Sequence, residues 1–251
     1  MNNIFSADKI LTNGKIITVD AQDSIVEAVA IKNGRFLATG TTDEIKDLAS
    51  SKTDVLNLEG KTVTPGIIDS HTHPVLQASH LIAIDCRKPE VKEIADIKDK
   101  IKKKARELGP EKWIRLVNFN DTRLLENRHI TRWELDEVSA NNPVYIMADT
   151  GHQSIVNSRA LELAGVTKDT ENPPGGEIER NENGEPTGLL YEMAEHLVSK
   201  IMPEYTVEEL KPGYRETLNQ LSEWGITSTH DAFAYDLGIR TFQQILKEGV
   251  R

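Results

Sequence analysis

The stretch Thr62-Val63-Thr64-Pro65-Gly66-Ile67-Ile68-Asp69-Ser70-His71-Thr72-His73-Pro74 decides how the rest of the chain is read. From Val63 to Ser70 it is apolar on both faces, apart from the Pro-Gly near its start. That is how a strand buried on both faces of a parallel α/β sheet reads. Its polar residues gather at the C-terminal end. Asp69, His71 and His73 are spaced by two, so on a strand they share one face, with His71 and His73 about 7 Å apart along it. Two neutral imidazoles on one face suit a divalent metal ion. The spacing alone is weak, because seven histidines in 251 residues give a chance His-x-His with a probability of about 0.2. Position adds the weight: the pair ends a buried strand, where barrel enzymes place catalytic groups.

Working outward, residues 1–61 read as strands joined by tight turns, the amino-terminal piece of a β-sandwich. Asn13-Gly14 and Asn33-Gly34 each stand between apolar runs, the strongest short hairpin signal. Thr41 or Thr42 caps a short helix running to Ala49. Downstream, Ile94, Ile97, Ile101, Ala105 and Leu108 keep helical spacing up to Gly109-Pro110. Trp113 to Phe119 and Pro143 to Ala148 read as strands. Thr131 with Glu134 forms a capping box. Ser154 to Ala164 reads as a helix ended by Gly165, Glu177 to Leu190 as a hairpin, and Tyr191 to Ile201 as a helix. A helix capped by Thr206, with Pro212 near its start, runs to Trp224. A strand from Ile226 to His230 and a helix from Leu237 to Leu246 complete the pattern.

Composition bounds the function classes. The chain is 28% charged and 38% hydrophobic, which excludes disorder, collagen and a disulfide scaffold. No apolar run approaches the length of a membrane span, and Met1 to Lys9 lacks the apolar core of a secretion signal. Cys86 is the single cysteine, so no internal disulfide or cysteine-built zinc site forms, and a cytoplasmic location is expected. The net charge of −10 argues against nucleic acid and anionic membrane as partners. The expected partner is a small-molecule substrate, with self-association into a homo-oligomer left open.

Thr64-Pro65-Gly66-Ile67-Ile68-Asp69-Ser70-His71-Thr72-His73 resembles the first barrel strand of the metal-dependent amidohydrolase superfamily. "NGKIITVD" and "IKNGRFLATG" resemble that superfamily's amino-terminal piece. Gly151-His152-Gln153-Ser154-Ile155-Val156-Asn157-Ser158-Arg159-Ala160-Leu161, "NPPGGEIERNENGEPTGLLYE" and "GITSTHDA" are similar to the amidohydrolase 3, or YtcJ-like, subgroup, which includes N-substituted formamide deformylases. The resemblance implies an α/β fold: a partial TIM-type (β/α)8 barrel of two strands with an amino-terminal β-sandwich piece and an α+β insertion. Residues 1–61 form the sandwich piece, 62–78 and 206–251 the start of the barrel, and 79–205 the insertion between barrel strands one and two. A full barrel needs about 250 residues, so the chain is expected to be the amino-terminal part of a longer protein, inactive and marginally folded alone.

The resemblance further implies hydrolysis of a non-peptide carbon–nitrogen bond in a small amide. A divalent metal, zinc by expectation, would be held by His71 and His73, with Asp69 orienting the strand end. The remaining ligands and the Asp that serves as base would lie beyond Arg251. His152, His230 and Asp231 are candidate substrate-binding residues. Each also has a structural reading: His152 near a helix start, and Asp231 capping the helix that follows it. The alternative function is a non-catalytic regulator or binding protein on the same fold. The Lys98 to Arg106 charge run reads as a solvated helix face.

Overall fold

The computed structural model describes residues 6–250, and the chain divides into two units, Met1–Asp69 with Gly225–Thr229, and Ser70–Trp224 with His230–Arg251. The first unit holds β1 (Lys9–Thr12), β2 (Lys15–Ile17), β3 (Ile25–Val26), β4 (Ala28–Lys32), β5 (Arg35–Gly40), α1 (Thr42–Lys46), β6 (Asp54–Asn57) and β7 (Thr62–Val63). They form one sheet in the order β5-β4-β1-β6 and another in the order β3-β2-β7. Asn33 and Gly34 take φ of 50° and 70° and close the β4–β5 hairpin, as the Asn-Gly signal predicts. Asn13-Gly14 does something else. β1 pairs with β4 and β6, whereas β2 pairs with β3 and β7, so the dipeptide carries the chain from one sheet to the other rather than closing a hairpin. The Gly14 N–H bonds to Glu27 O in place of a partner across a turn. Ile16, Val29 and Leu58 then pack together between the sheets.

β8 (Ile67–Thr72) passes from the first unit into the second after Asp69. The second unit continues with α2 (Pro74–Leu81), β9 (Ile84–Asp85), α3 (Ile94–Leu108), β10 (Ile114–Phe119), α4 (Arg132–Ser139), β11 (Val144–Ala148), β12 (Gln153–Val156), α5 (Ser158–Ala164), β13 (Gly176–Arg180), β14 (Pro186–Glu192), α6 (His196–Ser199), α7 (Val207–Glu223), the end of β15 (Ile226–Asp231), whose residues up to Thr229 belong to the first unit, and α8 (Asp236–Lys247). Its main sheet runs β13-β14-β12-β11-β10-β9, parallel from β9 to β11 and antiparallel beyond. The α3 stripe Ile94, Ile97 and Ile101 buries against Ile114 and Leu116 of β10 and Ile146 of β11.

Two helix expectations are corrected here. Ser154-Ile155-Val156 forms β12 rather than the first turn of a helix, because its partly β-branched run pairs on both sides, with β11 and β14. The helix starts only at Ser158, where buried Asn157 caps it by accepting from Ala160 N. Tyr191 to Ile201 likewise opens as the end of β14, and only His196–Ser199 is α-helical.

The helices α2, α7 and α8 bury Val75, Ala78, Leu210, Tyr214 and Ile245 together. Ile67 N–H bonds Gly225 O, and Ala232 N–H bonds Thr72 O, so β8 and β15 run in the same direction as a two-stranded sheet. The two-sided burial that Val63 to Ser70 would have in a complete parallel sheet is not present in this chain, as expected for two barrel strands alone: Ile67 is 55% and Ile68 72% exposed. Among the described residues β8 pairs with β15 alone, and a two-stranded ribbon cannot cover both of its own faces. No described helix is long and apolar enough to cross a membrane.

Candidate functional site

Asp69 and His71 lie within β8, two residues apart as the alternation requires. The strand ends at Thr72, and His73 is the N-cap of α2 with φ −133° and ψ 61°, so strict alternation stops one residue early. The two imidazoles still come together: their ring centres are 5.2 Å apart and nearly perpendicular. Two imidazoles bound to one ion at about 2.0–2.1 Å and a tetrahedral angle have ring centres about 5 Å apart. His73 Nδ1 is buried and accepts or donates no hydrogen bond among the described residues. The donor set and its spacing therefore fit a divalent ion, but as half of a site. No group of three or more His, Cys, Asp or Glu suited to a metal is found among the described residues, whereas a catalytic zinc centre uses about three protein ligands.

Asp231, at the C-terminal end of β15, sits 3.9 Å from His73 Nδ1, beyond hydrogen-bond reach. Its carboxylate is otherwise engaged: Val75 N–H donates to Oδ2 at 2.9 Å, and Phe233 N–H donates to Oδ1 at 2.9 Å. The reading of Asp231 as the cap of the helix that follows it is corrected. α8 begins at Tyr235 without a side-chain cap, and Asp231 instead serves α2. His73 provides no side-chain cap there and Pro74 has no N–H, so Val75 carries the first orphan donor of the helix. His230 lies beside it, exposed, in β15.

A cavity of about 660 Å³ opens beside the pair, bordered by His71, His73, Gln77, His80, Asn118 and Gln220 among others. His73, Leu76, Gln77 and His80 have the i, i+3, i+4, i+7 spacing of one helix face. Gln77 Nε2 donates to Gln220 Oε1 at 3.0 Å, tying α2 to α7 across the cavity wall. His80 is pushed below the usual imidazole range by burial, with the Arg87 charge adding to it, and its Nε2 is buried without a hydrogen-bond partner. His152 is not in this lining. It sits in the β11–β12 turn rather than at a helix start, its side chain 70% exposed, with Nδ1 3.2 Å from the Glu192 carboxylate. From sequence His80 reads as a surface or packing residue, although its seven-residue offset from His73 is a usable signal. Asn118 gave none, because its φ of 60° arises from an irregularity of β10 between Leu116 and Phe119.

The sequence profile of the amidohydrolase family matches residues 54–249. The N-substituted formamide deformylase of Arthrobacter pascens is 38% identical over 191 residues, which are 76% of this chain and 35% of that protein. The protein LONG AFTER FAR-RED 3 of Arabidopsis thaliana is 35% identical over 221 residues, 88% of this chain and 37% of its own length. The chain thus spans about a third of the length of these curated relatives. Among solved structures, an uncharacterized metal-dependent hydrolase from Pyrococcus horikoshii superposes on 96% of this chain and 46% of its own, with a TM-score of 0.70 at 23% identity, a likeness of fold.

Proposed function

The chain belongs to the amidohydrolase family, and from that premise we propose that the protein hydrolyses a carbon–nitrogen bond of a small non-peptide amide, with His71 and His73 among the ligands of a divalent metal, zinc for preference. The observation that carries the reading is the pair of imidazoles 5.2 Å apart at the end of β8. A divalent ion bound there supplies a lowered pKa for water and polarises a carbonyl. The chain's own residues do the rest of what is assigned to them. Asp231 fixes the strand-to-helix corner that presents His73, through its bonds to Val75 N and Phe233 N. His230 and His152, both exposed, are assigned to substrate contact.

The same reading gives the fold its finer description. β8 and β15 are the first two strands of a (β/α)8 barrel, residues 1–61 a piece of a β-sandwich, and 79–205 an insertion over the barrel mouth. The parallel direction of β8 and β15 and the packing of α2, α7 and α8 support it, since βαβ units produce both.

The test is metal analysis and an amide panel on the full-length protein, beginning with N-substituted formamides. His71→Ala with His73→Ala is expected to remove both metal and turnover. Stoichiometric metal retained in the double variant would overturn the ligand assignment, and metal-loaded protein that cleaves no amide would overturn the reaction.

A further inference from the structure

The cavity beside His71 and His73 has a far end of different character. From His73 to His80 the axis of α2 advances about 10 Å. There the carboxyl ends of the parallel strands β9 and β10 bring up Asp85 and Asn118, and Arg87 follows directly. The side chain of Arg87 is held in place: Nε and Nη2 both donate to Asp85, at 2.8 and 2.6 Å. Asp85 is fixed in turn by Asn118 Nδ2 at 3.1 Å and by the Arg87 backbone N–H at 3.0 Å. This leaves Arg87 Nη1 as a donor with no partner among the described hydrogen bonds, on a guanidinium that is already oriented. His80 Nε2, orphaned and buried, borders the same space, and a buried polar atom without a partner calls for one.

Charge points the same way. Arg87 also borders an adjoining groove of about 610 Å³, with Lys88, Lys100, Lys103 and Lys104. These five cations face three acids there, Asp85, Glu90 and Glu107, and Asp85 is already paired with Arg87. On a chain of net charge −10, a locally cationic groove that joins the cavity at Arg87 attracts anions. The α3 lysines that read as a solvated face from sequence thus have a neighbour to act on.

We propose that Arg87, with His80 beside it, forms a subsite for a carboxylate carried by the substrate about 10 Å from the scissile carbonyl, so that the substrate is a carboxylate-bearing amide. The proposal rests on the amide-hydrolase reading above for the position of the scissile bond. Arg87 Nη1 donates to the carboxylate, and a neutral His80 donates through Nε2 when its proton sits there. Asp85 and Asn118 keep the guanidinium aimed. The lysines of α3 contribute a field that raises the local concentration of the anion and that salt screens.

The experiment uses the full-length protein and the formyl derivatives of glycine, γ-aminobutyrate and ε-aminocaproate, against N-pentylformamide as the uncharged match. With metal removed by chelation, calorimetry reads binding alone. The longest acid is expected to bind most tightly. Arg87→Gln should weaken it about 10- to 100-fold, the range of a hydrogen bond to a charged group, and Arg87→Lys should weaken it less. Lys103→Glu, a change away from the Asp85 network, should weaken it a few-fold at low salt and not at high salt. Equal binding of the acid by wild type and Arg87→Gln, or equal losses in Arg87→Gln and Arg87→Lys with none in Lys103→Glu, would overturn the subsite. Arg87-dependent binding without hydrolysis by the metal-loaded protein would keep the subsite and sink the hydrolase reading. Hydrolysis with no preference for the acid would do the reverse.

Discussion

Asp231 is the side chain whose removal should cost most for its size. Its carboxylate is 12% exposed and accepts from two backbone donors far apart in sequence, Val75 and Phe233. The Val75 bond is an N-cap supplied from another element, and deleting such a cap costs about 1 kcal/mol, within a range of roughly 0.5–2. The negative charge also faces the positive end of the α2 dipole. The Phe233 bond, to a charged acceptor, is worth about 1.5 kcal/mol, and water recovers part of it because the Phe233 end is exposed. Asp231→Ala is therefore expected to destabilise the second unit by about 2–3 kcal/mol, measured as a shift of the urea midpoint at constant m-value. Asp231→Asn keeps one acceptor and turns the other into a donor facing an N–H, so it should lose roughly half of that. A second readout follows from position. With the corner loosened, His73 is presented less rigidly, and divalent-metal affinity should fall about tenfold or more, as for groups that orient a ligand. An Asp231→Ala protein within about 0.5 kcal/mol of wild type, or one whose metal affinity is unchanged, would refute the argument that this carboxylate builds the corner.

Two further substitutions probe the scaffold. A Cβ on Gly213 of α7 would lie 2.0 Å from Ala78 O of α2, so Gly213→Ala should destabilise by about 1–3 kcal/mol through forced separation of the helices, despite gaining about 1 kcal/mol of helix propensity; a rise in Tm would refute it. Glu134 is held down at about 2, chiefly by its bonds to Arg128 and then by those to the Thr131 cap. A depressed carboxylate gives stability that is present above its unfolded pKa of about 4.5 and lost as pH falls through the folded value. Wild type should therefore lose its advantage over Glu134→Gln between about pH 4.5 and 2, and a pH-independent difference across that window would show that the Arg128 pair is not the source.

What the sequence made legible and what it hid divide along a physical line. Motifs that work within a few residues were readable: the capping boxes at Thr131 and Thr206, the Asn33-Gly34 hairpin, the isoleucine stripe of α3, and the placing of His71 and His73 at the end of a strand. Each rests on local hydrogen bonding or side-chain periodicity, which sequence spacing encodes directly. Features that depend on which strand lies beside which were not. Asn13-Gly14 has the composition of a hairpin, yet β1 finds its partners in β4 and β6, and only that pairing makes the dipeptide a crossing between sheets. Ser154 to Ala164 has enough helical spacing to read as one helix, but Asn157 fastens the chain to Ser139 O, Asn142 O and Val144 N and so divides it into a strand and a helix. The site shows the same division. Its two imidazoles are neighbours in sequence, while the residues packed around them, Asp231, His80 and Arg87, are brought there by the end of β15, by the face of α2 and by the end of a separate sheet. Sequence spacing thus brings out the two proposed ligands, and only the packing of distant elements determines which side chains surround them.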